Sequence, residues 1–307
     1  MSTVDQIIKI GATGPLVVTL QNLLKKVGYK IGNVDGKFTE PIDAAVKDFQ
    51  TKHGLTPDGK VGNMTWTALN GEPIINYSGV VLSPTLNIID YKLQDDEYYK
   101  EVTKKDTIYL HHTAGGSNPI NTIDGWERDA SKSGGVLKVA TAFVIGRASS
   151  STGDATYDGK IYRAFDERYW AHHLGLKRSN NTELNSKSIG IEICNYGPLT
   201  KTTDGRFLNY VNREVNAADV YTLKFPYKGF VHYERYTNAQ LASLKLLLQD
   251  LAVKYNINIR RQIDFNWFNI QNDALEGKPG IWTHTNVRSD KFDLSPQPEL
   301  IEMINSL

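Results

Sequence analysis

The chain has one cysteine, Cys194, in 307 residues. That excludes an intrachain disulfide and a cysteine-rich zinc site, so any metal must be held by His, Asp or Glu. An excess of either charge is lacking too: 35 Lys and Arg face 34 Asp and Glu, and residues 1–72 share the balance with 8 basic and 7 acidic side chains. A polyanion bound through counterion release needs a basic domain or stripe, so nucleic acid is not an expected partner. No run reaches the roughly 18 apolar residues that span a bilayer, and residues 1–10 carry no basic stretch leading into an apolar one. Membrane insertion is therefore not expected, and the chain reads as a monomer made in the cytoplasm without a signal peptide. What is present suffices for cores: 40% of residues are hydrophobic and 22% charged, and the length suggests two domains.

Two short stretches repeat, Val34-Asp35-Gly36-Lys37-Phe38 and Pro57-Asp58-Gly59-Lys60-Val61. Each Asp-Gly pair is a turn signal. Apolar residues at helical spacing precede the first pair (Val17, Leu20, Leu23, Leu24) and follow each (Ala45, Val46, Phe49; Trp66, Leu69). They predict a three-helix module over 1–72, its core drawn from Leu20, Val46, Phe49, Leu55, Trp66 and Leu69. A looser segment with Pro73, Ser78, Gly79 and Pro84 reads as a linker over 73–102. From 103 to 307, strand-like runs at Thr107–His111, Ala142–Gly146 and Ser188–Cys194 precede a long helix. That helix opens on the capping box Thr237-Asn238-Ala239-Gln240 and carries Leu241, Leu244, Leu248 and Leu251. Strands mixed with helices predict an α/β domain.

Three pieces of this second region carry chemistry. His111 and His112 end an apolar strand, and adjacent strand side chains point to opposite faces, so at most one serves a given ion. Lys291 and Asp293 share a face in an extended segment, placing a carboxylate beside a cation. Glu192 lies on the strand face opposite Ile189, Ile191 and Ile193, and a carboxylate on so apolar a strand is costly unless paired or functional.

Residues 11–69, with their G-P-x-V-x-x-L-Q, D-G-K-F-T and D-G-x-V-G elements in order, resemble the peptidoglycan-binding module of bacterial and phage wall hydrolases. The second region resembles the zinc-dependent N-acetylmuramoyl-L-alanine amidases of the type 2 family. Its anchors are L-H-H-T-A-G at 110–115, D-G-K-I-Y at 158–162, W-A-H-H-L-G at 170–175, S-I-G-I-E at 188–192 and H-x6-K-x-D at 284–293. The resemblance implies a mixed central sheet flanked by helices, similar to peptidoglycan recognition proteins, and a Zn2+ held by His111, His284 and Asp293 with a fourth position left for water. It further implies that Glu192 is the general base, that Lys291 stabilises an oxyanion and that His173 lines the substrate groove. Relatives place a Tyr where Thr141 aligns. The expected function is hydrolysis of the bond between the muramic acid lactyl group and L-alanine in bacterial peptidoglycan. A phage lysin would reach the wall through lysis, a holin-type lesion or an injection device. A non-catalytic peptidoglycan receptor and a zinc endopeptidase acting on the stem peptide are the alternatives.

Overall fold

The computed structural model describes residues 8–69, 86–130, 138–259 and 266–307, and the chain divides into two compact units, Met1–Ser83 and Pro84–Leu307. The first unit holds three helices, α1 (Pro15–Lys26), α2 (Glu40–Lys52) and α3 (Asn63–Leu69). Val17, Leu20, Leu24, Ile42, Val46, Phe49, Leu55, Val61 and Leu69 fill its core, while Trp66, expected inside, is only partly buried against it. The repeated Asp-Gly turns have a common support. Buried Gln21 accepts from Gly36 N–H at 2.8 Å and donates to Asp35 Oδ1 at 2.9 Å, and buried Gln50 accepts from Gly59 N–H at 3.0 Å and donates to Asp58 Oδ1 at 3.2 Å. α1 and α2 thus each lend one amide to a turn whose glycine takes positive φ, 71° at Gly36 and 73° at Gly59.

The second unit runs β1 (Ile88–Asp90), β2 (Thr107–His112), α4 (Pro119–Ala130), β3 (Phe143–Ile145), β4 (Ile161–Arg163), α5 (Asn181–Lys187) and β5 (Ser188–Ile193). Short strands β6 (Pro198–Lys201), β7 (Phe207–Leu208), β8 (Glu214–Val215), β9 (Val220–Tyr227) and β10 (Phe230–Glu234) follow. The chain closes with α6 (Asn238–Tyr255), α7 (Asn272–Leu275), β11 (Gly280–Thr283) and α8 (Pro298–Asn305). A six-stranded mixed sheet in the order β1-β4-β3-β5-β2-β11 is its centre. One face carries Ile108, Leu110, Ile189, Ile191, Ile193 and Ile281, which pack with Leu241, Leu244, Leu248 and Leu251 of α6 and Leu300 of α8. The capping box that starts α6 is formed, with Thr237 and Gln240 exchanging bonds of 3.1 Å each way.

The fold departs from expectation in two places. Residues 86–102, expected within a linker, belong to the second unit: β1 pairs in parallel with β4, Tyr99 bonds Trp170 through the backbone, and Leu93 and Tyr98 are buried in the core. Residues 73–85 of that expected linker lie outside the described residues. The polar composition near Gln94–Glu97 hides the apolar residues that anchor the segment. The second departure is the antiparallel sheet β8-β7-β6-β10-β9, whose last hairpin turns on Lys228 and Gly229, both at positive φ as a tight two-residue turn requires.

This second sheet is fastened through Glu234, which is fully buried. Its carboxylate pairs with Arg147 Nη1 at 2.7 Å and accepts from the Ser150 hydroxyl and from Tyr196 N–H. Removing the Glu234 charge leaves buried Arg147 with only the more distant Asp219, 3.3 Å from its Nη2. Glu234→Ala is therefore expected to destabilise the second unit by about 3–5 kcal/mol in denaturant melts, and Glu234→Gln by somewhat less, because its amide oxygen still accepts a hydrogen bond while the charge is lost in both.

Lys105 is buried just ahead of β2 and donates to Ser186 O at 2.7 Å, an oxygen that also accepts from Thr103. Burial lowers its pKa from 10.5 to about 7. Between those values the unfolded chain holds a proton that the folded one has lost, so this group makes stability rise with pH across that window. Lys105→Met is expected to raise the melting temperature most at or below pH 7 and progressively less toward pH 10.5. A pH-independent difference between the two proteins would refute this.

Candidate metal centre and catalytic groove

Parallel pairing sets the site. β2 lies between β5 and β11, with His111 opposite Glu192 and Tyr109 opposite both Gly190 and Trp282. Paired residues of neighbouring strands point to the same face about 4.8 Å apart, so His111 and Glu192 emerge side by side, away from α6. His284 follows directly on β11, where Thr283 and Asn286 form a capping box that folds the chain into a 3-10 turn. Thr283 N–H donates to Asn286 Oδ1 at 2.9 Å, and Arg288 N–H returns to His284 O at 2.9 Å. The turn aims His284 inward and brings back the segment that carries Lys291 and Asp293.

His111 Nδ1, His284 Nδ1 and Asp293 Oδ2 converge: the separations are 3.0 Å between the two nitrogens, 2.9 Å from His284 to Asp293 and 3.3 Å from His111 to Asp293. These residues form a group of potential metal ligands among the described residues, and all three are buried. Tetrahedral zinc with bonds of about 2.0–2.1 Å sets its ligand atoms about 3.3 Å apart, close to this triangle. The donor chemistry fits as well. His284 Nε2 lies 2.9 Å from the Leu174 carbonyl, which only accepts, so this nitrogen keeps a proton and Nδ1 is the one available to a metal. Burial, reinforced by His284, lowers the His111 pKa to about 4 and keeps its ring neutral, as a ligand must be. Burial alone would raise the pKa of Asp293, yet positive charge on the side of His284 holds it well below the usual carboxylate range, and a cation seated between the three side chains would supply that charge.

A groove of about 450 Å³ opens over these atoms, lined by Glu192, Lys291, Thr141 and His173 together with Trp126, His172 and Phe292. Glu192 Oε2 is buried without a hydrogen-bond partner among the described residues. Burial and then the nearby Asp293 charge raise its pKa well above the ordinary carboxylate value, against an opposing pull from Lys291. Thr141 Oγ1 donates to Phe143 O at 3.1 Å and so is turned away from the groove chemistry. His173 lines the groove, and its ring also stands 3.0 Å from His111 Nε2. His112 leaves β2 on the other face, where Nδ1 lies 3.0 Å from Tyr236 Oη. The structure thus gathers His111, His284, Asp293, Glu192, Lys291 and His173 at one groove. Trp126 carries no signal in the sequence; Phe292 lies between Lys291 and Asp293 and His172 in the same W-A-H-H-L-G string as His173, and both could have been sought there.

Residues 101–296 match the family model of N-acetylmuramoyl-L-alanine amidase, more than half of the chain. The chain belongs to this amidase family. Residues 13–69, in the other unit of this amidase-family chain, match a peptidoglycan binding domain model. A spore cortex-lytic enzyme of Bacillus cereus is 43% identical over 61 residues, which cover 20% of this chain and 24% of that protein. The chain thus spans about a quarter of the length of that curated relative. Among solved structures, an N-acetylmuramoyl-L-alanine amidase from Clostridium intestinale is 16% identical, with 72% of this chain and 95% of that chain covered at a TM-score of 0.38. The Burkholderia AP3 phage endolysin is 33% identical over 21% of this chain and 24% of its own, at a TM-score of 0.20. No helix among the described residues is long and apolar enough to cross a membrane.

Proposed function

We propose that the second unit is a zinc-dependent N-acetylmuramoyl-L-alanine amidase that hydrolyses the amide between the muramic acid lactyl group and L-alanine, and that the first unit holds it on peptidoglycan. The convergence of two imidazole nitrogens and one carboxylate oxygen, in one groove with Lys291 and with Glu192, whose Oε2 has no hydrogen-bond partner among the described residues, carries this reading. His111, His284 and Asp293 would hold the ion, and zinc bound there supplies Lewis acidity toward a carbonyl and toward water. Glu192 takes the proton of the attacking water and returns it to the leaving amine, a task suited to a carboxylate whose surroundings raise its proton affinity. Lys291 presents an ammonium to the negative charge that develops on the carbonyl oxygen. A wall-binding module in the same chain suits a lysin acting on an insoluble substrate, because tethering raises the local concentration of enzyme there; we read this lysin as of the phage type.

Mass spectrometry of digested sacculi tests the proposal. Glycan strands freed of intact stem peptides are expected. Cleaved crosslinks would mean an endopeptidase, and no product at all would mean a receptor.

A further inference from the structure

We infer that His173 is a positioning residue: with Ser188 and Asn185 it forms a hydrogen-bonded relay that fixes which nitrogen of His111 carries the proton and so presents the other to the metal. This rests on the metal reading above. Ser188 Oγ has a single proton, and Asn185 O, 3.2 Å away, can only accept it. With the proton placed there, Ser188 accepts from His173 Nε2, 2.8 Å away, and His173 carries its proton on Nε2. His173 Nδ1 is then an acceptor, and the atom 3.0 Å from it, His111 Nε2, must be the donor. His111 Nδ1 is left bare, facing His284 Nδ1 and Asp293 Oδ2. The opposite direction would put a proton on His111 Nδ1, in the position the ion needs.

The surroundings hold this relay in place. Asn185 is fully buried, and its Oδ1 accepts from the backbone N–H of His173 at 2.7 Å and of Leu174 at 3.1 Å. Leu174 also supplies the carbonyl that receives His284 Nε2–H. One asparagine thus steadies the partners of both histidine ligands. Gly190 makes room for the ring: a Cβ there would stand 3.2 Å from His173 Cγ and 2.7 Å from Thr141 Cγ2.

Two variants of similar size separate positioning from packing. His173→Asn places an amide oxygen near the position of Nδ1 and keeps an acceptor for His111, whereas His173→Leu offers none. Zinc affinity measured by competition with a chromophoric chelator is expected to fall about 10- to 100-fold in His173→Leu, as for other lost partners of metal-bound histidine, and to recover most of that loss in His173→Asn. Equal affinities in wild type and His173→Leu, or equal losses in both variants, would overturn the relay. A second measurement needs no variant: the long-range 1H–15N spectrum of the full chain should show His173 and His111 both protonated at Nε2. His173 protonated at Nδ1 would also refute it. Absence of zinc binding in the wild type would remove the metal reading, while the tautomers would still decide the direction of the relay.

Discussion

Glu192→Gln is expected to turn over at least about 10²-fold more slowly than wild type while keeping its zinc, its melting temperature and its binding to sacculi. Loss of a positioned general base costs about 10²- to 10⁴-fold. The substitution preserves size, and Glu192 lies on the opposite face of β5 from the core residues Ile189, Ile191 and Ile193, so packing is spared. Because Oε2 has no partner among the described residues, no structural hydrogen bond of that atom is lost. The acidic limb of the rate profile belongs to this carboxylate and should disappear with it, whereas Lys291→Ala should lower turnover and leave that limb in place. Near-normal turnover with an unchanged acidic limb would remove Glu192 from the chemistry.

What the sequence revealed and what it hid follow from the range of the interactions concerned. The apolar alternation of Thr107–His111 and Ser188–Cys194 and the capping box at Thr237 are local signals, and the structure forms β2, β5 and α6 there. Register is not local. Nothing in the chain order says that His111 sits opposite Glu192 rather than opposite Gly190, yet that pairing sets the proposed base beside the proposed ligand. The strands β6, β7 and β8 are two to four residues long, too short for alternation to register, and the sheet they help form is fastened by an ion pair between Arg147 and Glu234, 87 positions apart. The Asp-Gly turns were visible, but the glutamines that hold them were not, because Gln21 and Gln50 read as ordinary helix residues. His173 shows the same limit: its place in a familiar string implied a groove position, while its bond to His111 arises only when residues 62 positions apart meet.

His111→Ala and His112→Ala, adjacent in sequence, should behave oppositely toward metal. His111 Nδ1 is one corner of the donor triangle, and its removal leaves His284 and Asp293 as a two-ligand site. Metal analysis is expected to fall from one zinc per chain toward none. Activity should drop at least about 10³-fold, since a catalytic ion contributes several kcal/mol to the transition state. His112 is buried on the opposite face of β2, where burial lowers its pKa to about 4 and the ring is neutral. Tyr236 Oη accepts from Ser295 N–H at 3.3 Å and shares a hydrogen bond of 3.0 Å with His112 Nδ1. Gly197, at φ 77°, closes over the ring, since a Cβ there would stand 2.9 Å from His112 Nε2. His112→Ala therefore opens a cavity and leaves the buried Tyr236 hydroxyl without its histidine partner, a loss of about 1–3 kcal/mol from the hydrogen bond alone. That protein should melt lower yet still bind one zinc per chain. Metal lost from His112→Ala and retained by His111→Ala would overturn the ligand assignment.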